Sequence, residues 1–467
     1  MLFNSFEYLL FLPVVSVLYF LLGQRGRLWL LLLASCFFYG FFVPKYLLVL
    51  FGIILIDFVA GIMIHNSTTG ARKKLFLTLS VVSNLSILVF FKYTNFLIEN
   101  INLLARSIHW NYSIEALAII LPIGLSFHTF QSLSYVMDIY RGKWTAEKDL
   151  LSYSVYVLYF PQLVAGPIER PGNMFPQLAK KHDFDYERIV QGLYLIAQGL
   201  FKKCILSDGV ALLINEVFMN PRSYGGLMVV IASSATALRC YGDFSGYSDI
   251  ARGSSKIFGI EVMKNFNKPF FSTSMTEFWK RWHISLSSWF KDYLYIPLGG
   301  NRKGPIRSRV NIMITFVLSG FWHGPSWQFI LWGGTQGAYL LFEEFFGERL
   351  GISRWPVWLG RLYVFFALMV SWIFFRSESM ECVQELFKGL FRPFFMGFDL
   401  IRTDILVEFL VLLVGMYVLE WWDERVPFWE RVRSLSWKRR WMVYWALVMV
   451  FLFCAHFAGE QFIYFQF

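Results

Sequence analysis

Apolar stretches of about eighteen or more residues recur along most of this 467-residue chain. As helices rising about 1.5 Å per residue, such stretches approach the roughly 30 Å of bilayer hydrocarbon. No water reaches the peptide groups there, so a spanning segment must satisfy its own hydrogen bonds, and a helix does so alone. The recurrence therefore dictates an all-α polytopic membrane protein. Composition agrees: 56% of residues are hydrophobic and 16% charged, against about a quarter charged in soluble domains. Spans are predicted at Phe6–Leu22, Leu28–Val43, Tyr46–Ile64, Leu75–Ile98 and Ala116–Tyr135, and an apolar run over Leu151–Ala165 then ends in a rigid turn at Gly166-Pro167. More follow at Ile189–Leu206, Gly226–Tyr241, Trp327–Phe346, Trp358–Phe375, Ile405–Trp422 and Trp441–Phe457. Without internal repeats or low-complexity linkers, residues 1–467 read as one domain.

The net charge of +11 does not imply nucleic acid. Lys and Arg gather in short loops after the first span (Arg25, Arg27), the third (Arg72, Lys73, Lys74) and the fifth (Arg141, Lys143, Lys148). Basic loops face the cytoplasm, which sets the N-terminus outside it. Glu7 to Leu22 lacks a basic flank and a small-residue cleavage site, so it reads as a span and not as a cleaved signal. The five cysteines are scattered without metal-ligand spacing.

The stretch from Thr276 to Trp327 organises the rest. At 100° per residue, Trp279, Trp282, His283, Leu286, Phe290 and Tyr293 share one helix face, and Lys280, Arg281, Ser288, Lys291 and Asp292 share the other. That pattern predicts an interfacial amphipathic helix. A basic turn with Asn301, Arg302 and Lys303 follows, then an apolar run from Val310 to His323. If Arg309 marks the membrane surface, this run carries His323 roughly 20 Å inward, where an ionisable group is costly and usually functional. Gly324-Pro325 ends the helix just beyond it. Upstream, Tyr241 to Asp249 packs two carboxylates, two serines and two glycines into nine residues, a polar-cavity lining more than a lipid-facing surface.

Imidazole titrates near neutrality and can deprotonate a hydroxyl or accept an acyl group. His323 is the sharpest candidate; its bland alternative is a core histidine tied to a backbone carbonyl. His283 carries the same ambiguity. Asp243 and Asp249 are expected either to orient a histidine or to cap a helix, capping being the better expectation for at least one of them. Lys280, Arg281, Arg302, Lys303, Arg307 and Arg309 suit membrane orientation and equally the phosphates of an anionic donor. No G-x-S-x-G, P-loop or H-E-x-x-H string occurs.

The strings around Asp243–Asp249, Trp279–Asn301 and Phe321–Gly324 resemble the membrane-bound O-acyltransferases, in the bacterial branch that acetylates alginate, cellulose and peptidoglycan. The turn Phe160-Pro161-Gln162-Leu163-Val164-Ala165-Gly166-Pro167-Ile168 and the ending Phe462 to Phe467 are similar to that family too. The resemblance implies a ring-like bundle of roughly a dozen tilted helices around a funnel, with re-entrant and interfacial pieces. It implies His323 as the family histidine and His283 as its supporting partner, where many eukaryotic members carry Asn or Asp. Asp243, Ser245, Trp279, Trp282, Arg281, Asn301 and Trp322 would line the substrate path. The implied activity passes an acetyl group from cytoplasmic acetyl-CoA, a substrate and not a resident cofactor, across the bacterial cytoplasmic membrane. The acceptor is a polysaccharide hydroxyl, often reached through a separate extracytoplasmic acetyltransferase. No metal is implied.

Other readings make different demands. D-alanyl transfer to teichoic acid, a sister activity, needs a carrier-protein donor. A transporter with His323 and Asp243 as proton relay would move protons without any acyl donor, and the chain lacks the inverted repeat many transporters show. A structural export subunit would tolerate loss of His323.

Overall fold

The computed structural model of this chain describes residues 1–110, 112–164, 166–456 and 462. Ala165, Phe457 and the C-terminal residues 463–467, on which parts of the sequence reading fell, lie outside them. Among the described residues the regular structure is entirely helical. The first elements are α1 (Phe6–Leu21), α2 (Gln24–Gly40), α3 (Leu47–Asn66), α4 (Gly70–Leu88), α5 (Thr94–Ser107), α6 (Leu125–Tyr140), α7 (Leu150–Leu158) and α8 (Pro171–Leu178). Then come α9 (Tyr186–Phe201), α10 (Ala211–Met219), α11 (Gly226–Ile257), α12 (Met275–Arg281), α13 (Ile284–Phe290), α14 (Pro305–His323) and α15 (Trp327–Phe346). The chain continues through α16 (Val357–Arg376), α17 (Met380–Gly389), α18 (Thr403–Arg425), α19 (Phe428–Ser434) and α20 (Trp437–Cys454).

Five helical stretches among the described residues are long and apolar enough to cross a membrane: Pro44–Asn66, Gly70–Ser107, Tyr186–Met219, Val357–Arg376 and Thr403–Asp423. Two pairings fix the interior. Where α9 crosses α11, Gly192 and Gly199 meet Gly253 and Gly246: a Cβ on Gly192 would lie 2.6 Å from the Gly253 carbonyl oxygen, and one on Gly246 2.7 Å from that of Gly199. The second pairing joins α14 to α15. A Cβ on Gly320 would lie 2.1 Å from the Phe329 carbonyl oxygen, and one on Gly333 2.3 Å from that of Phe316. Lipid tails supply no hydrophobic drive between helices, so such backbone-close packing is how membrane helices hold together.

Several predicted spans are redrawn. The helix expected from Ala116 begins only at Leu125, because Pro122 and the left-handed Gly124 (φ 75°) terminate what precedes it. Residues 112–122 contain no helix and are held against α5 by two asparagines seven positions apart. Asn95 both donates to and accepts from Leu117 at 2.9 Å, and Asn102 does the same for Ile114 at 2.9 and 2.8 Å. The apolar run from Leu151 yields α7, a nine-residue and mostly buried helix rising about 14 Å, too short to span. By contrast, the span near Leu75–Ile98 is longer than expected, since α4 and α5 form one stretch joined by a π-helical turn at Val89–Tyr93. Likewise α11 runs 32 residues and straight through Tyr241–Asp249. Asp243 and Asp249 therefore cap nothing.

Candidate active site

The helix expected across Thr276–Leu294 is two helices with a break at Trp282-His283. α12 starts on Ser274, whose Oγ accepts from Glu277 N. Glu343 of α15 accepts from the Met275 and Thr276 amides as well. The break comes from backbone competition. Asn267 N donates to Arg281 O (2.9 Å), Ile284 N to Asn265 O (2.9 Å), and Ser285 N to Asn265 Oδ1 (3.3 Å). With these groups taken by the 265–267 segment, His283 sits in the left-handed region at φ 42°, ψ 55°. For a non-glycine residue that conformation costs about 1–2 kcal/mol, and such strain gathers where the surroundings over-determine a functional geometry. The aromatic face is buried in the protein and not laid on lipid: Trp279, Trp282, Leu286, Phe290 and Tyr293 all belong to the core.

His283 is fully buried, and neither of its ring nitrogens is hydrogen-bonded to another residue. Its ring meets Phe244 of α11 edge-on (4.5 Å) and lies near-parallel to Phe127 and Phe266 (each 6.4 Å). The Trp322 indole stands at 6.4 Å, beside Phe127, and its centroid is 5.0 Å from the His323 ring. The two imidazoles thus share one indole neighbour, although the sequence spaces them forty positions apart.

His323 is the last residue of α14 and 3% exposed. The turn Gly324-Pro325-Ser326 follows as expected, and Ser326 caps α15 through its Oγ. A helix end leaves carbonyls without intrahelical partners. Here the π turn supplies them: Lys92 Nζ donates to Trp322 O (2.7 Å) and His323 O (3.0 Å), and Tyr93 Oη to Phe321 O (2.9 Å). The ammonium lies 5.8 Å from the Trp322 ring centroid and has no carboxylate partner among the described residues. A cation at a helix C-terminus is favourable, and a π turn often marks a functional segment. Sequence reading passed over Lys92, although a lone lysine inside an apolar run is a recognisable signal.

Trp332 and Phe375 meet the His323 ring edge-on at 4.9 and 5.5 Å. Between them and Trp282 lies a cavity of ≈ 10 Å³, room for about one water molecule or methyl group.

The other predicted site residues divide. Trp282 and Trp322 belong to the cluster, and Trp279 stands one ring away, 6.0 Å from Trp332. Because α11 turns Phe244 toward His283, the adjacent Asp243 and Ser245 point elsewhere. Asp243 pairs with the buried Lys203 (2.9 Å), which also holds Asp208 (2.9 Å), and Ser245 is buried one residue beyond Phe244. Asp243 therefore braces α11 against the segment after α9. Arg281 donates to Glu277 at 2.7 Å on the outer side of α12. Asn301 is exposed in the turn before α14, and the 19-residue α14 sets that turn about 27 Å from His323. Neither Arg281 nor Asn301 is brought to the histidines.

Two buried imidazoles packed against one indole, inside a helical bundle and with a helix break at each, form the candidate active site. Residues 146–382 match the membrane-bound O-acyltransferase family, and the chain belongs to that family: it is a multi-pass membrane acyltransferase. It is 35% identical to the peptidoglycan O-acetyltransferase of Helicobacter pylori, over 81% of this chain and 77% of that one. It is 37% identical to the probable alginate O-acetylase of Pseudomonas aeruginosa, over 84% and 75%. The teichoic acid D-alanyltransferase of Bacillus subtilis is more distant, 28% identical over 56% and 69%.

Proposed function

We propose that this enzyme transfers an acetyl group from acetyl-CoA at the cytoplasmic face to a hydroxyl of an exported or cell-envelope polysaccharide. The observation that carries the reading is the His323–Trp322–His283 arrangement at the buried end of α14, with a basic turn at the other end of the same helix. The names of the relatives at 35–37% identity support acetyl over D-alanyl.

In this mechanism His323 takes the proton from the acceptor O–H as general base. The hydroxyl oxygen forms the new C–O bond to the acyl carbon while the C–S bond of the thioester breaks. The imidazolium then returns its proton to the departing thiolate. His283, whose ring nitrogens bond no other residue, donates an N–H to the donor carbonyl oxygen, where charge develops in the transition state. Lys92 positions His323 by holding the carbonyls that end its helix. Arg302, Lys303, Arg307 and Arg309 attract the donor's phosphates. The enzyme works in the bacterial cytoplasmic membrane with its N-terminus outside, and passes acetyl to a separate extracytoplasmic acetyltransferase or directly to the glycan.

Purified enzyme in nanodiscs, given radiolabelled acetyl-CoA, tests the reading. Thiol release or acetyl capture by wild type, lost in a folded His323→Ala variant, is expected. Unchanged turnover in that variant would sink the mechanism, and no donor use by wild type would redirect attention to a carrier-protein donor.

A further inference from the structure

Apart from His323, the wall of the small cavity beside it takes no part in that mechanism, and its composition is specific. One side is the imidazole itself. The others are Cys240 and Phe244 of α11, Trp282, Trp332 of α15, and Trp372 and Phe375 of α16. Nothing in that wall carries a formal charge, so the space suits an apolar group delivered next to the histidine and not a sugar hydroxyl or a phosphate. The rings also brace one another. Trp282 lies 5.7 Å from Trp372, Trp372 5.0 Å from Phe375, and Phe375 5.3 Å from Trp332. A ring wedged between two others cannot swing aside cheaply, because interiors this dense have few alternative rotamers open. The volume of ≈ 10 Å³ matches one water-sized group.

We propose that this cavity is the acyl subsite, and that Cys240, Trp372 and Phe375 limit the donor to a two-carbon acyl group. The inference rests on the acetyl-transfer reading and deepens it. With the thioester carbonyl facing His323, the acetyl methyl fills the space. Each further methylene, or the extra amino and methyl groups of an alanyl donor, meets an aromatic ring with no room to move. A single methylene in such a pocket is worth about 10–200-fold in discrimination.

The test is donor preference, measured on full-length enzyme in nanodiscs with acetyl-, propionyl- and butyryl-CoA, reading kcat/KM for thiol release. Wild type is expected to favour acetyl over butyryl by about tenfold or more. Trp372→Phe and Cys240→Ala, both small reductions in a retained fold, should each narrow that ratio about tenfold, and Cys240→Met should depress acetyl turnover itself. Acetyl turnover with the butyryl ratio unchanged in both enlarging variants would overturn the subsite alone. A wild type that uses butyryl as readily as acetyl would do the same. Turnover of no thioester at any length would overturn the acetyl-transfer reading and the subsite together.

Discussion

The two histidines occupy one aromatic cluster but are held by opposite devices. His323 ends a regular helix, and its geometry is secured by closing that helix: Lys92 and Tyr93 satisfy the carbonyls of Phe321, Trp322 and His323. His283 is held by preventing a helix. The 265–267 segment takes the backbone groups around it and leaves it in a left-handed conformation. The first device adds favourable interactions at the site; the second stores strain there. A substitution at one position therefore tests chemistry almost alone, while at the other it tests backbone and side chain at once.

The sharpest break between them comes at His323. Replacing it with Ala is expected to lower turnover by about 10²–10⁴-fold, the usual worth of a general base, with thermal stability close to wild type. Lys92→Met comes next. Loss of the carbonyl contacts lets the end of α14 shift, and a displacement of about 1 Å can cost up to about 100-fold in kcat. Lys92→Arg, which still donates to carbonyls, should restore most of it with KM little changed, and failure of that rescue would argue that Lys92 acts only in folding. His283 gives a smaller but more diagnostic effect. His283→Ala should be less stable than His283→Gly by about 1–2 kcal/mol, read as a difference in unfolding midpoint in detergent. His283→Asn, a residue that tolerates the left-handed region, should lie between them. If Ala and Gly are equally stable, the strain at this position is not real. The least effect belongs to Arg281→Gln, which removes a half-exposed ion pair with Glu277 worth less than about 1 kcal/mol.

The same contrast explains what could be read from the chain. α14, its stop after His323 and α15 were legible because local chemistry sets them: Gly324-Pro325 cannot continue a helix, and Ser326 caps the next. The break at His283 was not. Trp279 to Tyr293 has helical periodicity throughout, and only hydrogen bonds from Asn265 and Asn267 override it. The non-helical course of residues 112–122 was hidden for a related reason. An apolar run looks like a span, and the asparagines that hold it extended lie on a different element. Asp243 misled because a carboxylate in an apolar setting suggests catalysis, whereas its partner Lys203 becomes visible only when α9 and α11 are packed together. The aromatic wall beside His323 was drawn from four separate elements, which periodicity within any one of them cannot join.

The π turn between α4 and α5 has a consequence for how this gene tolerates length changes. Such a turn amounts to one extra residue inserted in an α-helix, with both flanks keeping their original orientation. Removing one residue from Val89–Tyr93 would heal the helix across Gly70–Ser107 without rotating either flank. It would also narrow the widened turn that aims Lys92 and Tyr93 at the end of α14. A three-nucleotide deletion there is thus the unusual lesion expected to leave a better helix and a poorer enzyme.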